Sequence, residues 1–152
     1  MGRDEMNVAE GKRSARLLLD THTFLWMVEG HPRLGTDTGK TLNGAAREER
    51  ITVSAITPWE IGVLVAKKRI DLHRDLMGWI RDALSRPGVT LAPLEPEIAI
   101  ASTHLPFDMH ADPADRILVA TARHLGATLV TADQELLKLS KKGYFRGIDA
   151  SK

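Results

Sequence analysis

The chain has 152 residues, 43% of them hydrophobic and 27% charged, with a net charge of +1 at pH 7 and no cysteine. One domain of this size buries well over half of its unfolded surface without staples, and the lack of cysteine excludes disulfides and thiolate metal sites, so any metal must be held by oxygen or imidazole. No apolar run has the length of a bilayer span, which predicts a cytoplasmic protein with no membrane partner, and the near-neutral charge neither demands nor excludes a polyanionic one.

The first 15 residues, MGRDEMNVAEGKRSA, are polar and lack the apolar segment of a secretory signal. They read as a flexible extension ahead of a single domain over 16–148. RLLLD (16–20) is a short apolar run, hence a strand, and THTFLWMVEG then reads as a helix with Thr21 as its N-cap and Gly30 as its stop. A helix is expected near 38–48, a strand at ITVS (51–54) and a helix from Pro58. Residues 75–86 read as helix, 89–94 as strand, 96–105 as helix, Pro113 to Leu125 as helix, TLVT (128–131) as strand and 133–140 as a last helix. The tail YFRGIDASK shows no clear strand. Strands alternating with helices predict an α/β fold with a mainly parallel sheet covered on both faces, because parallel strands need crossover connections. Runs such as LLL, ITV and TLV suit strands buried on both sides.

Acidic residues recur where a strand gives way to a helix: Asp20, Glu60, Asp112, Asp115 and Asp133. Helix capping is a sufficient reason for any one of them. TPWE (57–60) has the outline of a capping box with Pro58 at the first helical position, DPAD (112–115) has the same outline, and Thr131 with Gln134 makes a third. Capping does not explain their common location. Ligands of an open parallel sheet bind in the crevice outside the carboxyl ends of its strands, and Asp20, Glu60, Asp115 and Asp133 all belong near that edge. Helix N-termini favour ionised acids, so these groups are expected to stay charged. Their repulsion is relieved by a hard divalent cation, Mg²⁺ or Mn²⁺. Such a site activates water for attack on a phosphodiester and stabilises the leaving oxygen. No GxxxxGK loop or GxSxG element points to a P-loop or serine hydrolase. His110 reads as a solvated loop residue, Trp26 and Trp59 as core or subunit-interface residues, and the basic clusters KRSAR, AKKRI and KLSKKGYFR as solvated faces that could also track phosphates.

LLLDTHTFLW, VSAITPWEIG, HADPADRILVATA and LVTADQ, in that order, resemble the successive blocks of the PIN-domain family and in particular its VapC-type toxins. The resemblance spans residues 16 to 140 and implies a three-layer α/β/α fold and a metal-dependent ribonuclease acting on RNA, dimeric and inhibited by a cognate antitoxin. Matched by motif, the family's acids fall on Asp20, Glu60, Asp115 and Asp133, with Asp112 a neighbouring candidate and Thr21 a hydroxyl near the metal's water shell. The chain departs from the usual pattern at Ala114, where relatives carry an aromatic residue, and at Thr121, where they carry Gln.

Two other functions remain open on the residues alone. LLLDTHT is faintly similar to the phosphoaspartate motif of haloacid-dehalogenase-like phosphatases, in which Asp20 is the nucleophile, although His22 stands where that motif has its second Asp. A receiver-like, non-catalytic signalling domain also has a Mg²⁺-binding acidic pocket, but requires adjacent acids after the first strand and a phosphoacceptor after a central one.

Overall fold

The structure, a computed structural model, describes residues 15–152. The extension expected over the first 15 residues lies, apart from Ala15, outside the described residues. Within them five strands form one parallel sheet: β1 (Leu17–Leu19), β2 (Ile51–Ser54), β3 (Val89–Ala92), β4 (Thr128–Thr131) and β5 (Arg146–Asp149), in the order β3-β2-β1-β4-β5. Among the described residues seven helices connect and cover the strands: α1 (Thr21–Glu29), α2 (Thr36–Arg47), α3 (Ile56–Ala66), α4 (Leu76–Leu84), α5 (Pro96–Thr103), α6 (Pro113–Leu125) and α7 (Gln134–Lys141).

The alternation of side chains along a strand makes the layers. Leu17 and Leu19 join Phe24, Leu42, Ile51, Val53 and Trp79 in one core cluster, whereas Leu18 packs on the other side with Leu118, Val119, Leu129 and Leu136. A three-residue strand wholly of leucine is therefore read on both faces, as the apolar run predicted. Leu18, Leu19, Phe24 and Leu129 are fully buried, each worth roughly 1.5–3 kcal/mol of transfer free energy. The result is the three-layer α/β/α arrangement expected. Among the described residues no helix is long and apolar enough to cross a membrane.

The topology creates the crevice. From β1 the chain builds outward through β2 and β3, then returns to the other side of β1 with β4, in register Leu18↔Thr52 and Leu18↔Leu129. The order thus reverses between β1 and β4, and the space outside their carboxyl ends is the switch point where open α/β sheets bind ligands.

Several expected boundaries move. Asp20, not Thr21, caps α1, accepting a hydrogen bond from the Thr23 N–H. Helix α3 starts at Ile56, two residues before Pro58, and its cap residue Ala55 makes no side-chain bond. Pro58 is tolerated there because the first four N–H groups of a helix have no intrahelical partner. The TPWE capping box is thus not formed, and Thr57 is buried inside the molecule. Helix α7 is capped by Asp133, which accepts from the Glu135 and Leu136 N–H groups, rather than by Thr131 and Gln134.

The tail, which lacked strand signals, forms β5 against β4 in register Leu129↔Gly147. It is an edge strand with two exposed positions, so no alternating pattern marked it. Gly147 is required by close packing, since a Cβ there would lie 2.7 Å from Ser140 Oγ. Beyond β5, the Gly35 N–H donates to Ala150 O (2.9 Å) and the Thr38 N–H to Lys152 O (3.0 Å). These carbonyls satisfy the start of α2, whose Gly35 cap offers no side chain.

Candidate active site

Asp20 ends β1 and is buried, with 9% of its surface exposed. Its Oδ1 accepts the Thr23 N–H (2.9 Å) and its Oδ2 accepts the Thr131 hydroxyl (2.5 Å). Thr131 ends β4, and its hydroxyl also accepts the Asp133 N–H (3.0 Å). One hydroxyl therefore ties the ends of the two central strands together and places Asp133 beside Asp20. On the other side, the Thr21 hydroxyl donates to Glu60 Oε1 (2.5 Å) and lies 3.3 Å from the Thr57 hydroxyl. Starting α3 two residues early turns Thr57 inward as part of this arrangement.

Asp112 caps α6 through the Asp115 N–H (3.0 Å), with Pro113 at the first helical position. This is the arrangement that DPAD predicts, and it leaves Asp115 on the third position of the helix facing the crevice. Asp20, Thr21, Glu60, Asp112, Asp115 and Asp133 all line one cleft of about 630 Å³.

Burial first, then the charges of Asp112, Asp133 and Glu60, push the Asp115 carboxyl up to about 7, with His110 opposing them. Glu60 is also raised, chiefly by burial, against the lowering bond from Thr21, with Asp112 and Asp20 adding repulsion. The expectation that helix N-termini keep every acid ionised is thus overturned at Asp115. A helix end carries only about half a unit of positive charge, which does not offset desolvation together with three neighbouring carboxylates.

His110, read from sequence as merely solvated, places Nε2 3.3 Å from Asp115 Oδ2 and 3.7 Å from Glu135 Oε2. Its only sequence signal was position: Asp112 N–H donates to His110 Nδ1 (3.3 Å) because the residue sits just ahead of the cap. Trp26 is half-buried against the core and lines the cleft. Trp59 is 59% exposed and is not a core residue. Lys67, Lys68 and Arg69 of AKKRI and Lys138, Lys141 and Lys142 near the tail are exposed, as solvated faces should be. Thr121, where Gln was expected from the resemblance, is buried and bonds its hydroxyl back to Ile117 O (2.6 Å).

The donors suit a hard cation. All are carboxylate oxygens, and among the described residues no Lys or Arg forms an ion pair with Asp20, Glu60, Asp115 or Asp133. Glu60 Oε2, Asp115 Oδ1 and Asp133 Oδ2 accept no hydrogen bond from the described residues. The acids are nonetheless turned to local partners, and among the described residues no three His, Asp or Glu groups converge on a single coordination point. The chemistry of a divalent-ion site is present; a preassembled cage is not.

The sequence matches the PIN domain family over residues 17–142. It is similar to Ribonuclease VapC22 of Mycobacterium tuberculosis (strain ATCC 25618 / H37Rv), with 30% identity over 120 residues covering 79% of this chain and 88% of that one. In fold it is similar to VapBC2 from Rickettsia felis, solved bound to a DNA fragment from its promoter, with a TM-score of 0.65 and 17% identity over 88% of this chain and 97% of that chain. DNA-bound VapBC from Salmonella typhimurium gives a TM-score of 0.64 and 18% identity over 89% and 98%.

Proposed function

The chain belongs to the PIN domain family, and from that premise we propose that it is a metal-dependent endoribonuclease, the toxin of a toxin–antitoxin pair, that hydrolyses RNA phosphodiesters with water as the nucleophile. The observation that carries this reading is the clustering of acids, none with a Lys or Arg partner among the described residues, at the sheet's switch point in a chain similar to a ribonuclease over most of its length. We assign residues 16–148 to the nuclease unit. The structures of similar fold are VapBC assemblies bound to DNA, which supports a cognate antitoxin as partner, alongside a homodimeric state. Exposed Trp59 and Ile100 are apolar surface of the kind such assemblies bury.

Asp20, Glu60, Asp115 and Asp133 would hold Mg²⁺ or Mn²⁺, with Asp112 and Thr21 at the margin. The ion would supply a lowered water pKa and neutralise charge at the scissile phosphate. The protein supplies orientation. Asp20 is fixed by Thr131 and Thr23, and Glu60 by Thr21, so both carboxylates are set before substrate arrives. The carboxylates facing the cleft accept a hydrogen bond from the attacking water and hold it in line. His110, whose Nε2 lies 3.3 Å from Asp115 Oδ2, is held by that contact where it can pass a proton to the departing 3′-oxygen. Because water attacks, the RNA 2′-hydroxyl is not required as nucleophile.

The phosphatase reading needs an acid where His22 stands, and the receiver reading needs a phosphoacceptor where β2 ends, a place held by Ser54, whose Oγ accepts the Ile56 N–H (3.1 Å). The decisive experiment is RNA cleavage by pure protein with Mg²⁺ or Mn²⁺ and again in excess EDTA. Activity is expected only with the ion, and undiminished cleavage in EDTA would sink the mechanism. Expression is expected to slow growth unless the antitoxin is supplied; a protein active on RNA yet harmless at high expression would refute the toxin role.

A further inference from the structure

We propose that Arg33, held over the face of Trp26 at the rim of the acidic cleft, is a phosphate clamp for the nucleotide next to the scissile bond. The inference rests on the ribonuclease reading above and names the part of the protein that receives the RNA strand. A cleft lined by carboxylates repels a polyanion except where a cation faces into it. Among the described residues lining the cleft, Arg33 is the one Lys or Arg, and it forms no ion pair with any described acid.

Its position is built. The guanidinium carbon lies 5.7 Å from the centroid of the Trp26 ring, within cation–π range. The His31 ring stacks on the same indole at 6.0 Å, and its Nδ1 accepts the Arg33 N–H at 3.0 Å. The turn that carries both residues is closed by Gly30 in the left-handed region and by the His31 N–H bonded to Trp26 O. Backbone and ring contacts thus direct an otherwise unpaired arginine to the mouth of the cleft.

Trp26 lies on α1, the helix that Asp20 caps. Trp26 stands six positions after Asp20, about 9 Å along the axis, and the turn that carries Arg33 follows directly on the end of that helix, so the clamp is hung from the element that the acid caps. A planar guanidinium fork takes a phosphate through two N–H donors. Trp26 acts through Arg33 and is a positioning residue. A backbone contact carries no base preference, so the clamp raises affinity for all sequences alike.

The test is steady-state cleavage and anisotropy binding of a labelled single-stranded RNA, with Mg²⁺ and across a salt series, for the full chain and for R33A, R33K, W26F and W26L. R33A is expected to raise KM and Kd by about tenfold with kcat within about twofold, and to reduce the salt slope by about one. R33K should recover part of the loss, W26F should stay close to wild type because a ring remains, and W26L should shift toward R33A. Thermal melts identify any variant that fails to fold, and the arginine variants, exposed at the surface, then decide. An unchanged KM and salt slope in R33A beside an active wild type would overturn the clamp alone. A wild type that neither binds nor cuts RNA would overturn the nuclease reading and the clamp with it.

Discussion

Asp20 and Asp115 line the same cleft and are built on opposite terms. Asp20 sits at the joint of β1 and β4 with both oxygens hydrogen-bonded, one to a backbone N–H and one to Thr131. Asp115 sits on the first turn of α6 with a histidine as its one side-chain partner among the described residues, and other acids crowd it. The first acid therefore helps to hold the sheet together, whereas the second costs the free protein stability whenever it is ionised. A cation site assembled from such halves has one wall fixed in advance and another that is relaxed only when positive charge arrives.

The largest expected effect is shared by both halves. Asp20→Asn and Asp115→Asn should each lower metal-dependent cleavage by about two orders of magnitude or more, because each removes a charge that the ion needs. RNA cleavage assays on folded variants measure this, and full activity in Asp115→Asn would remove it from the site.

Ligand linkage comes next. Mg²⁺ or Mn²⁺ at about a hundred times its dissociation constant should stabilise the wild type by about 2.7 kcal/mol, read as a rise in Tm that EDTA reverses. The rise should be greater at pH 8 than at pH 5, where Asp115 carries its proton. An ion that leaves Tm unchanged at both pH values would show that the cleft does not hold it.

In stability the two halves should part in sign. Asp20→Asn leaves the Thr131 hydroxyl without its acceptor and should cost about 1 kcal/mol or more, and Asp20→Ala, which also removes the cap, about 2–3 kcal/mol. For Asp115 the raised pKa means that the folded chain binds more protons than the unfolded one between the ordinary carboxylate range and about pH 7. Stability of the metal-free protein therefore falls as pH rises through that window, and the cost is complete above it. A full conversion of the shift would be about 4 kcal/mol, but the side chain is 24% exposed, and screening at the open cleft reduces this to about 1–2 kcal/mol. Asp115→Asn should thus stabilise the metal-free protein at pH 8 and leave it unchanged near pH 3. Denaturant melts at the two pH values check this, and destabilisation at pH 8 would mean that the helix-dipole contribution outweighs burial and repulsion.

Asp112→Asn should have the smallest effect. Asn caps about as well as Asp, so the stability change is expected to be a few tenths of a kcal/mol, with a measurable share of cleavage retained. Loss of all activity in this variant alone would move the ligand to the cap position.

Much of this arrangement is legible in the order of residues along the chain. Apolar runs that end in Asp or Thr locate β1 and β4, DPAD locates the start of α6, and the order of acid-bearing blocks indicates that they share one edge. What escapes has specific causes. The start of α3 is misplaced because Pro58 is also compatible with the third helical position. Edge strand β5 has no alternating burial to display, and His110 and Arg33 are single residues in loops, where spacing carries no signal.

The sequence by itself determined the layers and the identity of the acids. Periodicity selects which faces are buried, and a carboxylate beside a helix start is a local feature. Only the tertiary structure decided how those acids differ. Whether a carboxylate is bonded on both oxygens, as Asp20 is, or crowded by others, as Asp115 is, depends on groups far away in the chain: Thr131 lies 111 residues from Asp20. Desolvation and Coulomb repulsion act through space and not along the chain, so two aspartates that look alike in sequence come to hold the fold in one case and to strain it in the other.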